Sequence, residues 1–373
     1  MPLRMYPAPL GPAPVTAARV ADPFRAHQAG PELRPEIAAD TMVLVSDIDQ
    51  SDLIGFPIHW KAMSVAERTE ALSFLDRAAG LGKPVLVWTV GDREFAVDHP
   101  AAIRFQLGGA KRRRSLCWGV EAYPPFIEDE LYRREGRELP TTAIDTDRPT
   151  IAFCGQGETS LAAELKLLVT KAQARLSKAD RQAQRLAEPW ASHLRLREKA
   201  LAALANDPRI DHRFVVRRRY RAGVQTKAER RDPLHPTSVE FFDNLATSQY
   251  ALCVRGGGNF SVRFFEALCF GRIPVLVDTD CRLPAEDKID WDQIILRLPD
   301  SELSGLGHLV VEHHRRLGPD GVREHQHRCR QVWLDHLSRP GYLSQLPDLL
   351  KTHLDTPTNA GNSGTTRRRE PAR

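Results

Sequence analysis

The sequence lacks the cysteine pairing that stabilises small secreted domains. Its six cysteines are widely spaced, and no two of them form a C-x-x-C pair. Cys253 and Cys269 lie inside apolar segments, where a free thiol behaves as a small hydrophobic side chain. Because disulfide scaffolds depend on paired cysteines, this pattern excludes such a scaffold and favours a reducing compartment. We therefore expect a cytoplasmic protein.

The sequence also has no apolar run long enough to cross a bilayer. Residues 1–20 are rich in proline and alanine and lack the apolar core of a signal peptide. Any membrane association is therefore expected to be peripheral. Neither sign of charge dominates, since the net charge is +5 and residues 366–369 supply part of it. We expect no nucleic-acid partner.

The chain has 373 residues, which is enough for two domains with substantial cores. Short apolar runs alternate with helical patterns in both halves, which is typical of α/β domains with parallel sheets. The polar, proline-containing residues 141–149 separate the halves. We predict two Rossmann-like domains facing a cleft. The predicted divisions are an irregular leader over 1–35, an N-terminal domain over 36–145, a C-terminal domain with terminal helices over 146–354, and a disordered tail over 355–373.

Residues 255–280 are the most informative stretch and read RGGGNFSVRFFEALCFGRIPVLVDTD. An apolar run over 250–254 precedes the glycines, and an amphipathic helical pattern and a second apolar run over 273–277 follow them. Strand, glycine-rich turn, helix and strand make a βαβ unit, and the N-terminus of its helix can bind an anion. The sequence therefore predicts an anion site in the second half.

The glycine-rich loop itself is suited to a ligand. Gly256, Gly257 and Gly258 allow unusual backbone angles and let a ligand approach the main chain. Asn259 tolerates a left-handed conformation and can turn the chain. Ser261 stands at the expected start of the helix, where it can cap the helix or contact a ligand, and both interpretations stay open.

Charged residues flank the loop in a pattern that fits a nucleotide. Arg255 ends the first strand, and Arg263 falls in the first turn of the helix, where a cation is unfavourable unless an anion is near. We interpret both as phosphate contacts, with an ion pair between Arg263 and Glu266 as the alternative for Arg263. Glu266 could accept hydrogen bonds from both ribose hydroxyls.

Residues 237–300 resemble the exostosin family of glycosyltransferases. The resemblance rests on the ordered motifs RG, S-x-R, EAL, G-x-IPV, LP and IDW, which begin at Arg255, Ser261, Glu266, Gly271, Leu283 and Ile289. The order and spacing of these motifs are specific together, whereas a single glycine-rich loop is not. The resemblance is weaker over 150–236.

The resemblance implies a GT-B architecture with an N-terminal acceptor-side domain and a C-terminal nucleotide-sugar-binding domain. It also implies an inverting transferase that moves a sugar from a nucleotide sugar, commonly a UDP sugar, to a glycan or other hydroxyl acceptor. By the same resemblance, Arg255, Ser261, Arg263 and Glu266 belong to the donor site. Animal and plant members are Golgi enzymes with a membrane anchor. The lack of a visible anchor, and Arg272 where those members would have cysteine, favour a bacterial-type branch that synthesises or decorates a polysaccharide.

Two D-x-D patterns, at 47–49 and 278–280, raise the question of a divalent cation. Since the arginines and the helix N-terminus already supply positive charge, we expect neither a metal nor another cofactor. Asp278 is interpreted as part of a turn that lines the donor pocket. The histidines at 313, 314, 325 and 327 lack metal-ligand spacing and are interpreted as solvated helix residues.

An inverting transferase needs a base for the acceptor hydroxyl. Asp49 is our candidate, because a residue beyond the first strand of the first domain should reach into the cleft. Asp47, Asp92 and Glu94 are alternatives.

Two further questions stay open from the residues alone. Arg217 and Arg219 alternate near a strand end, and they either add charge to the donor pocket or lie on an exposed sheet edge. A catalytically degenerate nucleotide- or glycan-binding module is the main alternative function. A dinucleotide-dependent oxidoreductase is disfavoured, because the loop lacks G-x-G-x-x-G spacing.

Overall fold

The computed structural model describes residues 1–10, 21, 40–91, 97–112, 115–136, 147–157, 169, 192–219, 223–224, 226, 229, 232 and 234–355. The predicted tail over 355–373 lies outside these ranges except for Asp355, and most of the predicted leader lies outside them as well.

The first half of the chain forms a six-stranded parallel sheet with the order β2-β1-β3-β4-β5-β6. Its strands are β1 (Leu3–Pro7), β2 (Met42–Leu44), β3 (Leu53–Gly55), β4 (Val85–Trp88), β5 (Ala102–Gln106) and β6 (Gly119–Ala122). Helix α1 (Val65–Gly80) covers one face and begins with a capping box between Ser64 and Glu67. Because side chains on both faces are buried, the strands read as continuous apolar runs.

Strand β1 corrects the prediction of an irregular leader. Leu3–Pro7 pairs with β2 on one side and with β3 on the other, and Met5 is fully buried between them. The surrounding prolines and alanines suggested irregular structure. Proline is tolerated here because Pro7 is the last residue of the strand.

The second half forms a five-stranded parallel sheet with the order β11-β10-β9-β7-β8. Its strands are β7 (Thr150–Gln156), β8 (Asp211–Arg217), β9 (Tyr250–Cys253), β10 (Ile273–Asp278) and β11 (Leu296–Pro299). The helices between the sheets and around the second one are α2 (Glu130–Glu135), α3 (His193–Ala205), α4 (Pro236–Ala246) and α5 (Val262–Cys269). The predicted α/β class is confirmed, and the two parallel sheets fit a GT-B-like architecture.

Two long helices end the described part of the chain. Helix α6 (Leu306–Val332) packs on the second sheet and is kinked at Gly318, whose φ of 64° leaves the helical region. A π-helical segment, Trp333–Leu337, leads into α7 (Arg339–Asp355). None of the helices in the described ranges is both long and apolar enough to span a membrane.

Helix α7 packs against the first sheet, whereas the sequence predicts it as part of the C-terminal domain. Tyr342 and Leu346 are buried in the same core as Met5 of the first sheet. The hydroxyl of Tyr342 donates to the carbonyl oxygen of Ala122 at 3.3 Å. The sequence does not reveal that α7 packs against the first sheet, because its apolar face could pack against the core of either sheet.

Candidate functional site

The candidate site lies at the carboxyl ends of β7, β9 and β10, where parallel α/β sheets hold their ligands. Strand β9 is fully buried and leads into the glycine-rich loop, which is closed by a hydrogen bond from the Gly256 N–H to the Phe260 carbonyl at 2.9 Å. Helix α5 starts directly after the loop. The free amides of its first turn carry partial positive charge towards the loop.

The three glycines of the loop do not adopt the unusual backbone angles that the sequence suggested. Among the described glycines, those with positive φ do not include Gly256, Gly257 or Gly258. A side-chain carbon added at Gly257 would meet nothing within 4 Å, since this residue is exposed at the tip of the loop. Gly257 therefore presents bare main chain to the solvent at the tip of the loop, where a ligand with acceptor oxygens can approach it.

Arg255 lies against the loop and is only 3% exposed. Its Nη1 donates to the Gly256 carbonyl at 3.3 Å. Together with Ser261, Thr279 and Arg282 it lines a small pocket beside the start of α5. The predicted residues Arg255 and Ser261 are thus brought together.

Ser261 is the N-cap residue of α5, but its side chain makes no capping hydrogen bond. The residue is 8% exposed and lines the same pocket as Arg255. The sequence left open whether Ser261 caps the helix or contacts a ligand, and the structure does not show side-chain capping. A hydroxyl placed here is free to donate to an anion.

Arg263 turns away from the loop and runs beneath the end of β7. Its Nη2 donates to the Cys154 carbonyl, and its guanidinium carbon lies 4.4 Å from the centre of the Phe153 ring. Burial lowers the pKa of Arg263, and attraction to Glu266 opposes that effect. A side-chain carbon at Gly155 would come within 2.7 Å of Arg263 Nη2, so the glycine provides the space for the guanidinium.

Arg197, on α3, belongs to the site and was missed in the sequence. Its Nη1 donates to the Gln156 carbonyl at 3.0 Å, and its Nη2 donates to the Arg255 carbonyl at 3.1 Å. It therefore ties the end of β7 to the start of the glycine-rich loop. No local motif marks Arg197, since its role depends on two strands far away in the chain.

Arg217 and Arg219 have separate environments. Arg217 pairs with Glu240 and donates to the Thr237 carbonyl at 3.2 Å. Arg219 follows β8, the edge strand of the second sheet, and is exposed. His235 is the N-cap residue of α4, and the Glu240 carboxylate is engaged by Arg217.

Asn259 and Asp278 shape the turns around the pocket. Asn259 Nδ2 donates to the Thr279 carbonyl at 3.1 Å, and its Oδ1 accepts from the Thr279 hydroxyl at 2.5 Å. The Asp278 carboxylate accepts from the Cys281 N–H at 2.9 Å. Both side chains are thus occupied within the protein, and direct contact of either with a ligand stays a prediction.

Asp49 does not lie where we expected. Its carbonyl oxygen is 3.4 Å from Lys83 Nζ, and Lys83 lies two residues before the start of β4. Asp49 is exposed and close to the amino ends of the strands, because the chain has already returned to begin β3. Since the glycine-rich loop lies at the carboxyl ends, this placement does not support Asp49 as the base. Asp92 and Glu94 lie outside the described residues.

The histidines of α6 correct another prediction. His313, His314 and His325 are buried rather than solvated, and His313 Nε2 lies 3.2 Å from His325 Nδ1. Burial lowers the pKa of His313 to about 4. Over the described ranges, no group of three or more His, Cys, Asp or Glu residues is arranged to hold a metal ion. Independence from metals stays a prediction.

Comparison with known proteins assigns the region around this site to a family. Residues 166–312 match the model of the Exostosin GT47 domain. A protein of Oryza sativa subsp. japonica named a probable glucuronosyltransferase is 31% identical over 84 residues, covering 21% of this chain and 19% of the relative. A probable beta-1,4-xylosyltransferase of Arabidopsis thaliana is 37% identical over 77 residues, covering 21% of this chain and 18% of the relative. The matches thus span about a fifth of the length of these curated relatives. The matched region contains the glycine-rich loop, Arg255, Ser261, Arg263 and Glu266, so the part of the chain that forms the candidate site is similar to the exostosin GT47 domain.

Proposed function

We propose that the protein is an inverting glycosyltransferase that takes a sugar from a nucleotide-sugar donor, a UDP sugar, and transfers it to a hydroxyl group of a glycan or another acceptor. The observation that carries the proposal is the pocket shared by Arg255 and Ser261 at the N-terminus of α5. There the buried Arg255 and the Ser261 hydroxyl, which makes no capping hydrogen bond, line one pocket beside the N-terminus of the helix. The names of the plant relatives support a sugar transferase, and the work of such an enzyme would be polysaccharide or glycoconjugate synthesis.

The chemistry of the donor site follows from this arrangement. Transfer breaks the bond between the anomeric carbon and the diphosphate, so negative charge grows on the leaving diphosphate. Arg255 and the first-turn amides of α5 would stabilise that charge. Arg197 would hold the Arg255 main chain in position, because it donates to that carbonyl. Glu266 would accept hydrogen bonds from the ribose hydroxyls.

A second candidate is a nucleotide- or glycan-binding module without turnover. The observation that favours it is the position of Asp49 at the amino ends of the strands, which leaves the acceptor side without an identified base among the described residues. Donor binding would be the same in both cases. The two candidates differ only in whether the bond to the diphosphate is broken.

The test is a panel of UDP and GDP sugars, incubated with the protein with and without EDTA, followed by detection of the released nucleoside diphosphate. We expect release from one UDP sugar that persists in EDTA, and proton NMR of the product should reveal inversion at the anomeric carbon. The matched variants are Arg255→Ala, which should lose release, and Arg315→Ala, which removes a solvent-exposed guanidinium and should retain it. Tight binding of UDP without release from any sugar would favour the binding module. Binding of GDP without binding of UDP would indicate that the donor is a GDP sugar.

Cytoplasmic localisation, a bacterial-type origin and independence from any metal are part of the same proposal. The first two rest on the sequence pattern, and the third rests on the cationic residues of the pocket. The comparison with and without EDTA tests whether the reaction needs a divalent cation.

A further inference from the structure

A segment of the first sheet reaches across to the donor pocket of the second. Residues 108–112, which follow β5 and are called the clasp below, lie against the turn that follows β10. Ala110 and Cys281 form an antiparallel bridge. The Lys111 N–H donates to the Asp280 carbonyl at 2.9 Å, and the Arg282 N–H donates to the Gly109 carbonyl at 2.7 Å. The two halves of the molecule are therefore joined by main-chain hydrogen bonds beside the pocket.

Side chains reinforce this contact. The Asp280 carboxylate accepts from the Arg112 N–H at 3.0 Å, and Lys111 Nζ lies 2.7 Å from a Glu286 carboxylate oxygen. Asp280 has a φ of 62°, a conformation that is unfavourable for most residues and that asparagine and aspartate tolerate best. Asp280 keeps this unfavourable conformation while its carboxylate accepts a hydrogen bond from the clasp. We take this as a sign that the clasp shapes the turn after β10.

Gly108 lies closest to the glycine-rich loop. Its φ is +63°, and a side-chain carbon there would come within 2.4 Å of the Asn259 carbonyl oxygen and 2.7 Å of Phe260 Cβ. It also lines the same pocket as Arg255 and Ser261. Only glycine permits both the backbone angle and the close approach, so the clasp and the loop fit together without a gap.

Asn259 connects the clasp to the loop. Its carbonyl oxygen accepts from the Gly109 N–H at 3.3 Å, while its side chain is engaged by Thr279. Asn259 is 4% exposed. Asn259 is thus fixed by the clasp on one side and by Thr279 on the other. Ser261, which lines the pocket, follows only two residues later.

We infer that the clasp holds the glycine-rich loop in the shape that receives the diphosphate, so that donor affinity in the second sheet depends on residues 108–112 of the first. This inference rests on the proposed function of the loop as a donor site. Gly108, Asn259 and Asp280 are then positioning residues. When the clasp is released, the loop samples other shapes, and the apparent Kd rises as the inverse of the fraction of molecules that remain competent to bind.

The test compares Gly108→Ala with Gly82→Ala. Both glycines have a φ near +65°, at +63° and +65°, but a side-chain carbon at Gly82 meets nothing within 4 Å. The two variants therefore share the backbone strain, and only Gly108→Ala disturbs the clasp. Amide hydrogen exchange of the peptides around 109–112 and 280–282 reports whether the clasp is closed, without any nucleotide. Calorimetric titration with UDP reports the affinity.

We expect Gly108→Ala to lose exchange protection in both peptides and to bind UDP about tenfold more weakly, which corresponds to a clasp that is open in roughly nine of ten molecules. Gly82→Ala should change neither measurement. Lost protection with unchanged UDP affinity would overturn the inference while leaving the proposed function intact. Unchanged protection in Gly108→Ala would overturn it as well. If the wild type binds no nucleotide although its clasp is protected, the proposed function fails instead.

A second pair of variants keeps the test valid if Gly108→Ala does not fold. Asp280→Ala removes the acceptor for the Arg112 N–H, whereas Asp280→Asn keeps an acceptor oxygen and tolerates the positive φ. We expect Asp280→Ala to weaken UDP binding and lose exchange protection, and Asp280→Asn to retain both. Equal behaviour of the two variants would contradict a positioning role for this carboxylate.

Discussion

The ion pair between Arg330 and Asp129 should contribute strongly to the stability of the junction between the two halves. Arg330 Nη1 and Nη2 donate to the two Asp129 carboxylate oxygens at 3.0 and 2.7 Å, and Nη1 also donates to the Cys269 carbonyl at 2.7 Å. Asp129 is the N-cap residue of α2, which connects the sheets, and Cys269 ends α5. One guanidinium thus ties the connecting helix to the helix of the candidate site.

The expected magnitude follows from the burial of the pair. Removing one partner of a buried ion pair costs about 3–5 kcal/mol, because the other charge is left without compensation. The Arg330 side chain is 8% exposed and the Asp129 side chain 28% exposed, so solvent would compensate Asp129 in part. We therefore expect Arg330→Met, which preserves much of the apolar stem, to lower the free energy of unfolding by about 2–3 kcal/mol.

A double-mutant cycle isolates the pair. Asp129→Asn keeps a good N-cap for α2 while removing the charge. Urea unfolding of the wild type, both single variants and the double variant should be followed by tryptophan fluorescence and by circular dichroism, using only a transition that both probes share. We expect a coupling energy of about 1–2 kcal/mol between the two sites. Additive effects within about 0.5 kcal/mol would refute the reasoning.

Three further outcomes are expected. Burial lowers the pKa of His313 from 6.5 to about 4. Between these two pH values the unfolded chain therefore binds a proton that the folded chain does not. The free energy of unfolding should fall by on the order of 2 kcal/mol as the pH drops from 7 to 5. Thermal unfolding at pH 7 and pH 5 should reveal a smaller pH effect in His313→Gln than in the wild type. Ser261→Ala should weaken UDP binding about fivefold, the equivalent of one hydrogen bond, with no change in the unfolding midpoint, because the hydroxyl makes no cap; a lowered midpoint would indicate a structural role. Asp49→Asn should retain the donor turnover of the wild type, since Asp49 lies at the amino ends of the strands, and abolished turnover with intact UDP binding would contradict that placement.

Local sequence patterns predicted the elements around the donor site well. The apolar runs at 250–254 and 273–277 correspond to Tyr250–Cys253 and Ile273–Asp278, because strands of a buried parallel sheet are continuous apolar segments. The glycine-rich loop and the start of α5 were also predictable, since both depend on neighbouring residues. Strand β1 was missed because the prolines and alanines after it resemble irregular chain.

Contacts between distant parts of the chain were not predictable in the same way. The hydrogen bonds of Arg197 join two strand ends, and the burial of Arg263 depends on Phe153 and on the space left by Gly155. The position of Asp49 depends on where the chain turns back to begin the next strand. Each of these outcomes requires the three-dimensional arrangement of the sheets, which local periodicity does not contain.

The measurement that tests the central claim most directly is a calorimetric titration with UDP in the presence of EDTA. It should compare the wild type, Arg255→Ala and Arg315→Ala. The account predicts saturable binding in the wild type and in Arg315→Ala, and loss of binding in Arg255→Ala, because Arg255 lines the pocket at the start of α5 whereas Arg315 is exposed on α6. Equal UDP affinity in all three proteins would contradict the claim that the glycine-rich loop and Arg255 hold the diphosphate.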